Sequence, residues 1–208
     1  MSEATVLLLP GWQNSGPDHW QSRWERRHGY RRVEQHDWMH PLRGDWIARL
    51  QDVVLELEQG RAADAPARIV LVAHSLGCQL VAAWAACSAL RGRIQAAFLV
   101  APGDPQREQL AGVLGSWSPV VLQALPFPSV LLASQDDPYC SFERAAQFAR
   151  AWGARFVDYG HAGHINADTG LGDWPDGHGR LLDICARERT TPHGAAGAVR
   201  PGASSCSL

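Results

Sequence analysis

The sequence carries no excess of charge of either sign. Charged residues make up 19% of the chain and the formal net charge is −2, with no long like-sign run. A basic face for nucleic acid or an anionic membrane is therefore not expected. Long hydrophobic runs are missing as well: none approaches the ~20 residues of a membrane-spanning helix. Cysteine is scarce and poorly spaced. The five cysteines (Cys78, Cys87, Cys140, Cys185 and Cys206) are odd in number and contain no C-x-x-C pair. That argues against a disulfide framework or a cysteine-based zinc site. Met1-Ser2-Glu3 leads straight into a strand-like run, with no basic n-region and no long h-region. The reading is no signal peptide and a cytoplasmic, reducing location.

What is present suffices for one α/β domain. Hydrophobic residues are 46% of 208, enough for a full core with little room for a second domain. Apolar runs at Thr5–Leu9, Arg68–Val72, Gln95–Ala101, Pro128–Ser134 and Ala154–Asp158 read as strands, with a weak strand at Arg32–Gln35. Helices are expected from Pro17-Asp18 to His28-Gly29, from an Asp45 N-cap to Gln59-Gly60, over Gln79–Ala86, from Phe142 to Trp152 behind a Ser141 cap, and from Gly177 to Arg187. Short helices are expected around Glu108–Leu114 and Val120–Leu125, and residues 61–67 read as a linker. Alternating strands and helices imply a mostly parallel sheet with helices on both faces. Residues 1–189 form this domain. Residues 190–208, rich in Gly, Ala, Pro and Ser, read as a disordered tail.

Right-handed crossovers gather the strand ends on one edge, where open α/β sheets place their sites. At that edge lies Ala73-His74-Ser75-Leu76-Gly77, between a buried strand and an Ala-rich helix. This is the layout of a nucleophile elbow, with Ala73 where G-x-S-x-G has its first glycine. A methyl there is tolerable if the position needs only to be small. A serine needs a base and an acid to become a nucleophile. Asp136 and Asp137 follow a late strand, and His161 and His164 follow the last one. Asp137 is favoured because Asp-Pro-Tyr-Cys-Ser resembles the D-x-x-V-P pattern after the acid strand of many hydrolases, leaving Asp136 to close the turn. His164 is favoured for its Gly-His setting, with His161 at the rim. The order Ser, Asp, His is the one found in α/β-hydrolases. Backbone N–H groups of Leu76 and Trp12 are the candidate oxyanion donors. Trp12, Trp38, Tyr139 and Trp174 could wall an aromatic pocket suited to apolar acyl groups.

Three blocks carry a family resemblance: Pro10-Gly11-Trp12-Gln13-Asn14-Ser15-Gly16-Pro17-Asp18-His19-Trp20-Gln21, then Ala73–Gly77, then Gly163-His164-Ile165-Asn166-Ala167 with Gly170-Leu171-Gly172-Asp173-Trp174-Pro175. Together they resemble the small serine hydrolases of the retinoblastoma-binding protein 9/YdeN family, over roughly residues 4–187. The resemblance implies a compact α/β-hydrolase fold without a large cap domain and no cofactor. It implies Ser75, Asp137 and His164 as nucleophile, acid and base, acting on ester or amide bonds of small molecules. The L-x-C-x-E retinoblastoma-binding motif is lacking: Leu182-Asp183-Ile184-Cys185 has the wrong spacing. Two other readings compete. One is a non-catalytic binding module that keeps the fold. The other is a metal site built on His36/His40 or His161/His164, whose spacings are ligand-like but fall on loops, without a third ligand.

Overall fold

A computed structural model describes residues 4–59, 61 and 67–190. Apart from Thr190, which ends the last helix, the expected tail lies outside the described residues. So do residues 62–66 of the expected linker and residues 1–3, on which the leader reading rests.

Six strands form one sheet: β1 (Thr5–Leu9), β2 (Arg31–Arg32), β3 (Ile69–Ser75), β4 (Ile94–Pro102), β5 (Ser129–Ala133) and β6 (Arg155–Asp158). Their spatial order is β2-β1-β3-β4-β5-β6, and every neighbouring pair is parallel. The order reverses beside β1 and β3, so the crevice at their carboxyl ends is the natural place for a site. Helices α1 (Trp20–His28), α2 (Arg43–Glu58), α3 (Leu76–Cys87), α4 (Ala111–Leu114), α5 (Phe142–Trp152) and α6 (Pro175–Thr190) complete the layers.

The period-2 alternation of the strands divides the core in two. Leu7, Leu9, Leu71, Ala73, Leu99 and Leu131 face α2, α3 and α5. Leu8, Val70, Val72, Phe98, Val100 and Leu132 face α1 and α6. Each of these Leu, Val and Phe side chains, fully buried, contributes about 1.5–3 kcal/mol. Nearly all of α3 is buried, from Leu76 to Ala85, which explains why its sequence shows no polar stripe.

Several element ends differ from the sequence reading. Residues 17–18 form a turn, and α1 begins at Trp20 behind His19, whose ring nitrogen accepts the Gln21 N–H at 3.1 Å. Arg26, Arg27 and His28 sit in its last turn, where cations suit the helix dipole. Asp45 is not a cap: α2 starts at Arg43, and Asp45 lies in the first turn. The weak strand is only Arg31–Arg32, paired with Leu7 and Leu8 of β1, and the last backbone bond to that strand is from Val33 N–H to the Leu8 carbonyl at 2.9 Å. No helix forms over 120–125. Its backbone is committed to α5 instead: Leu125 N–H donates to the Trp152 carbonyl at 3.0 Å and Trp152 Nε1 donates to the Val121 carbonyl at 2.8 Å. The helix at Phe142–Trp152 starts and stops where read, capped by Ser141 and ended by Gly153 in the left-handed region (φ 68°).

A buried amide fastens α1 to the strand ends. Gln21 is fully buried. Its Nε2 donates to the carbonyls of Leu9 (3.3 Å) and Val72 (3.1 Å), and its Oε1 accepts from Ser15 Oγ at 2.7 Å. Gln21→Leu leaves these partners buried and unsatisfied. The expected outcome is a loss of about 2–3 kcal/mol in urea unfolding, and a loss below 0.5 kcal/mol would show the network to be idle.

Candidate active site

Ser75 closes β3 and precedes the first residue of α3, at φ 55° and ψ −122°. That left-handed φ is costly for a residue with a side chain. It persists because the surroundings leave no alternative path. A Cβ on Gly11 would lie 2.6 Å from Ser75 Cβ, and one on Gly103 would lie 3.2 Å from Ser75 Oγ. A Cβ on Gly77 would strike the Leu9 carbonyl. The strand ends before Gly11 and Gly103 and the first turn of α3 therefore converge on this one residue. Position 73 is different. Ala73 lies in β3 with its methyl fully buried in the core facing α2, α3 and α5, so a small side chain fits there.

Ser75 Oγ is 2.9 Å from His164 Nε2. On the other side of the ring, Nδ1 lies 2.9 and 2.8 Å from the two carboxylate oxygens of Asp137. A carboxylate accepts only, so Nδ1 carries the proton and Nε2 is left to accept from the serine hydroxyl. The side chains of His164 and Asp137 are 8% and 3% exposed, so this contact is shielded from water. Asp136 does not reach the histidine ring. Its Oδ1 accepts from Ser134 Oγ (2.6 Å) and Gly163 N–H (2.9 Å), closing the turn that carries His164 onto the turn that carries Asp137. These two bonds hold its carboxyl below the usual range. His161 is exposed, 3.9 Å from Asp136 and away from Ser75.

The backbone N–H groups of Trp12 and Leu76 have no acceptor among the described residues. Trp12 sits in a loop where Gln13 (φ 69°) and Asn14 (φ 65°) are left-handed. Arg32, only 7% exposed, holds that loop: Nη1 donates to Asn14 Oδ1 (2.6 Å) and the Ser15 carbonyl (3.1 Å), while Nε and Nη2 meet Glu25. Trp12 Nε1 donates to the Met39 carbonyl at 3.0 Å.

A cavity of about 460 Å³ opens over Ser75. Trp12, Tyr139, Leu110 and Leu114 line it, with Asn14 and Asn166 among its polar groups. Two expected wall residues are elsewhere. Trp38 packs edge-on against Trp46, 5.3 Å away, within the core facing α2. Trp174 is 2% exposed on the opposite face, stacked on Trp24 and donating from Nε1 to Tyr159 Oη at 2.7 Å. A Cβ on Gly177 would overlap its ring, so the Trp174-Pro175 block is a packing unit of α6. His40, a candidate ligand, lies 3.4 Å from the exposed Asp37 carboxylate. Among the described residues, no group of three His, Cys, Asp or Glu side chains could hold a metal ion. Cys78 lies under the elbow, fully buried, with its thiol pushed well up by burial, which leaves it no nucleophile.

Two residues escaped the sequence reading as parts of this site. His19 and His74 both line the cavity and are buried, their rings 4.7 Å apart. His74 Nε2 donates to the backbone carbonyl of His164 at 2.9 Å. His19 accepts at Nδ1, so its proton sits on Nε2, which has no partner among the described residues. The one available signal was their place, inside the Asp-His-Trp and His-Ser stretches beside the elbow and the first loop.

A parallel sheet with a serine at the strand–helix elbow, met by a histidine from beyond the last strand, is the architecture of an α/β-hydrolase. Comparison with known proteins agrees. The chain belongs to the serine hydrolase family, whose model matches residues 6–183. It is 30% identical to a Pectobacterium atrosepticum protein described as a YdeN-like hydrolase, with a TM-score of 0.74 over 89% of this chain and 92% of that one. The ydeN gene product of Bacillus subtilis shares the fold at 19% identity, with a TM-score of 0.68 over 88% of this chain and 100% of that one. So does an esterase from Thermogutta terrifontis solved with butyrate bound, at 17% identity and a TM-score of 0.63, over 89% and 84% of the two chains. Among curated proteins nothing matches this chain.

Burial, with His164 and Arg32 nearby, lowers the pKa of His19 from 6.5 to about 3, and burial lowers that of His74 in the same direction. A histidine depressed in the folded state binds fewer protons there than in the unfolded chain. Stability is then fully present above pH 6.5 and lost as pH falls from 6.5 toward 3. For His19 alone the loss by pH 4 is on the order of 3 kcal/mol. His19→Asn keeps an N-cap acceptor and removes the titration. Urea midpoints between pH 7.5 and 4.5 should fall less steeply in His19→Asn than in wild type. Parallel curves would refute the assignment.

Proposed function

We propose that this chain cleaves ester bonds of small acyl substrates, as a carboxylesterase does, with amide bonds the second bond type open to the same chemistry. The observation that carries the reading is the contact of Ser75 Oγ with His164 Nε2, backed by Asp137 on Nδ1. Ser75 Oγ attacks the substrate carbonyl carbon while His164 Nε2 takes its proton. Asp137 stabilises the imidazolium that results. The oxyanion is received by the N–H groups of Trp12 and Leu76. Collapse expels the alcohol, or the amine, which leaves with the proton from His164. The acyl group stays on Ser75. Water, deprotonated by the same histidine, then attacks the acyl carbon and releases the carboxylate. No cofactor enters these steps. An esterase of the same fold that holds butyrate is in keeping with an ester substrate. The thiols of Cys78, Cys87 and Cys140, free of disulfides, are in keeping with a cytoplasmic setting.

In this reading a leaving group protonated by His164 lies beside Asn166 and Ala167, the lining residues that follow His164 in the chain, and the acyl group lies against the apolar lining residues Leu110 and Leu114.

Labelling with a fluorophosphonate probe tests the nucleophile. Wild type should react and Ser75→Ala should not, and equal labelling of the two would sink the reading. Asp137→Asn should lower kcat for p-nitrophenyl acetate by on the order of 10⁴, and Asp136→Asn should cost far less. A reversed ranking would move the acid to Asp136. For the acyl side, Leu110→Gln should lower the hexanoyl-to-acetyl ratio of kcat/KM by about 10-fold. An unchanged ratio would place the acyl chain elsewhere.

A further inference from the structure

The turn that presents His164 is strained. Gly163 has φ 54° and Ile165 has φ 47°. A β-branched residue in the left-handed region costs roughly 1–2 kcal/mol, so the turn does not keep this shape by local preference. On its acid side it is held by Asp136, which accepts the Gly163 N–H. Its two inward carbonyls are held from the other half of the molecule. His74 Nε2 donates to the His164 carbonyl at 2.9 Å, and Trp20 Nε1 donates to the Ile165 carbonyl at 2.8 Å. Both donors are buried, Trp20 to 1% exposure and His74 to 5%. The His74 ring also packs against the His164 ring, centroids 4.7 Å apart, while Tyr139 covers that ring at 4.5 Å.

His74 is the chain neighbour of Ser75. Two bonds therefore run between the same pair of segments: residue 75 to the ring of residue 164, and residue 74 to its backbone. The first is the reacting contact, which must loosen and re-form as the proton moves. The second need not change during the reaction, and it fixes the separation over which the first operates. Resting on the reading of His164 as the base, we propose that His74 is a positioning residue that sets the base over the nucleophile through the His164 carbonyl, with Trp20 fixing the next carbonyl. His19, which packs edge-on against His74, keeps that ring in its orientation.

The test compares His74→Phe, which keeps an aromatic ring and loses the N–H, with His74→Gln, whose amide nitrogen can reach the place of Nε2. His164→Ala is the control for the base itself. Substrate turnover is measured with p-nitrophenyl acetate, and Ser75 reactivity by the rate of fluorophosphonate labelling. The proton on His164 Nδ1 is followed as a downfield NMR resonance. His74→Phe should lose about 10- to 100-fold in kcat, with KM within two-fold, because a small misplacement of a catalytic group has that effect. Labelling should slow in parallel, and the downfield resonance should shift or broaden. His74→Gln should recover to within about five-fold of wild type. A role confined to stability would lower the thermal midpoint and leave kcat, labelling rate and resonance in place. If His164→Ala reacts like wild type, the base assignment falls and this proposal with it. If His164→Ala is inactive while His74→Phe reacts like wild type, or while the Phe and Gln variants are equally slow, the positioning role alone is overturned. Should His74→Phe not fold, Trp20→Phe removes the neighbouring strut and is read by the same measurements, with the same outcomes deciding.

Discussion

The structure depends on how closely three backbone segments approach Ser75. Gly11, Gly77 and Gly103 each sit where a methyl would meet Ser75 or the strand end beside it. That crowding supports the left-handed conformation of Ser75, and this conformation aims Oγ into the cavity rather than down the helix. It also determines which positions of the motif need glycine. The second glycine, at 77, packs on the Leu9 carbonyl, whereas position 73 points into the core and accepts Ala. The departure from G-x-S-x-G is therefore at the position where it is cheap.

A second layer of buried polar groups keeps the crowded region in register. Gln21 reads the carbonyl ends of β1 and β3, and Arg32 reads the loop that carries the Trp12 N–H. Both are satisfied at nearly every polar atom, which is the condition for buried polar groups to order a structure rather than burden it. For the oxyanion role proposed for the Trp12 N–H, that loop needs no further ordering, because the Arg32 guanidinium already holds it.

The sheet, its parallel sense and the hydrolase class were legible because strand runs, helical spacing and the Ser, Asp, His order all pointed the same way. The same holds for α5, where Ser141 and Gly153 mark both ends. The errors have local causes. Asp45 is a good cap type, but the cap position falls three residues earlier, at Leu42. Val120–Leu125 has apolar spacing, yet its backbone groups serve α5. Trp38 and Trp174 carry no mark in sequence that separates a pocket wall from a core, since an indole suits either. Trp174 is settled by Trp24, Phe98 and Tyr159, contacts that exist only in three dimensions. His74 and His19 were hidden for a different reason. A histidine next to the nucleophile reads as part of the elbow, and its bond to residue 164 spans 90 positions.

The turns that carry Asp137 and His164 are strapped to each other more tightly than either is to Ser75. Ser134 Oγ donates to Asp136 Oδ1 at 2.6 Å, with the Gly160 carbonyl 3.1 Å away, and accepts the Ala162 N–H; Gln135 N–H donates to the Gly160 carbonyl, and Gln135 Nε2 donates to Asp158. Asp137 and His164 thus ride together on the β5–β6 edge, where β6 has one free side and half-exposed residues. The arrangement joins two pieces, an Asp137–His164 pair at one end of the sheet and Ser75 at its centre. The pair is built within one edge, whereas the Ser75–His164 contact bridges edge and centre, and the bonds from His74 Nε2 and Trp20 Nε1 to the carbonyls of residues 164 and 165 span that same gap.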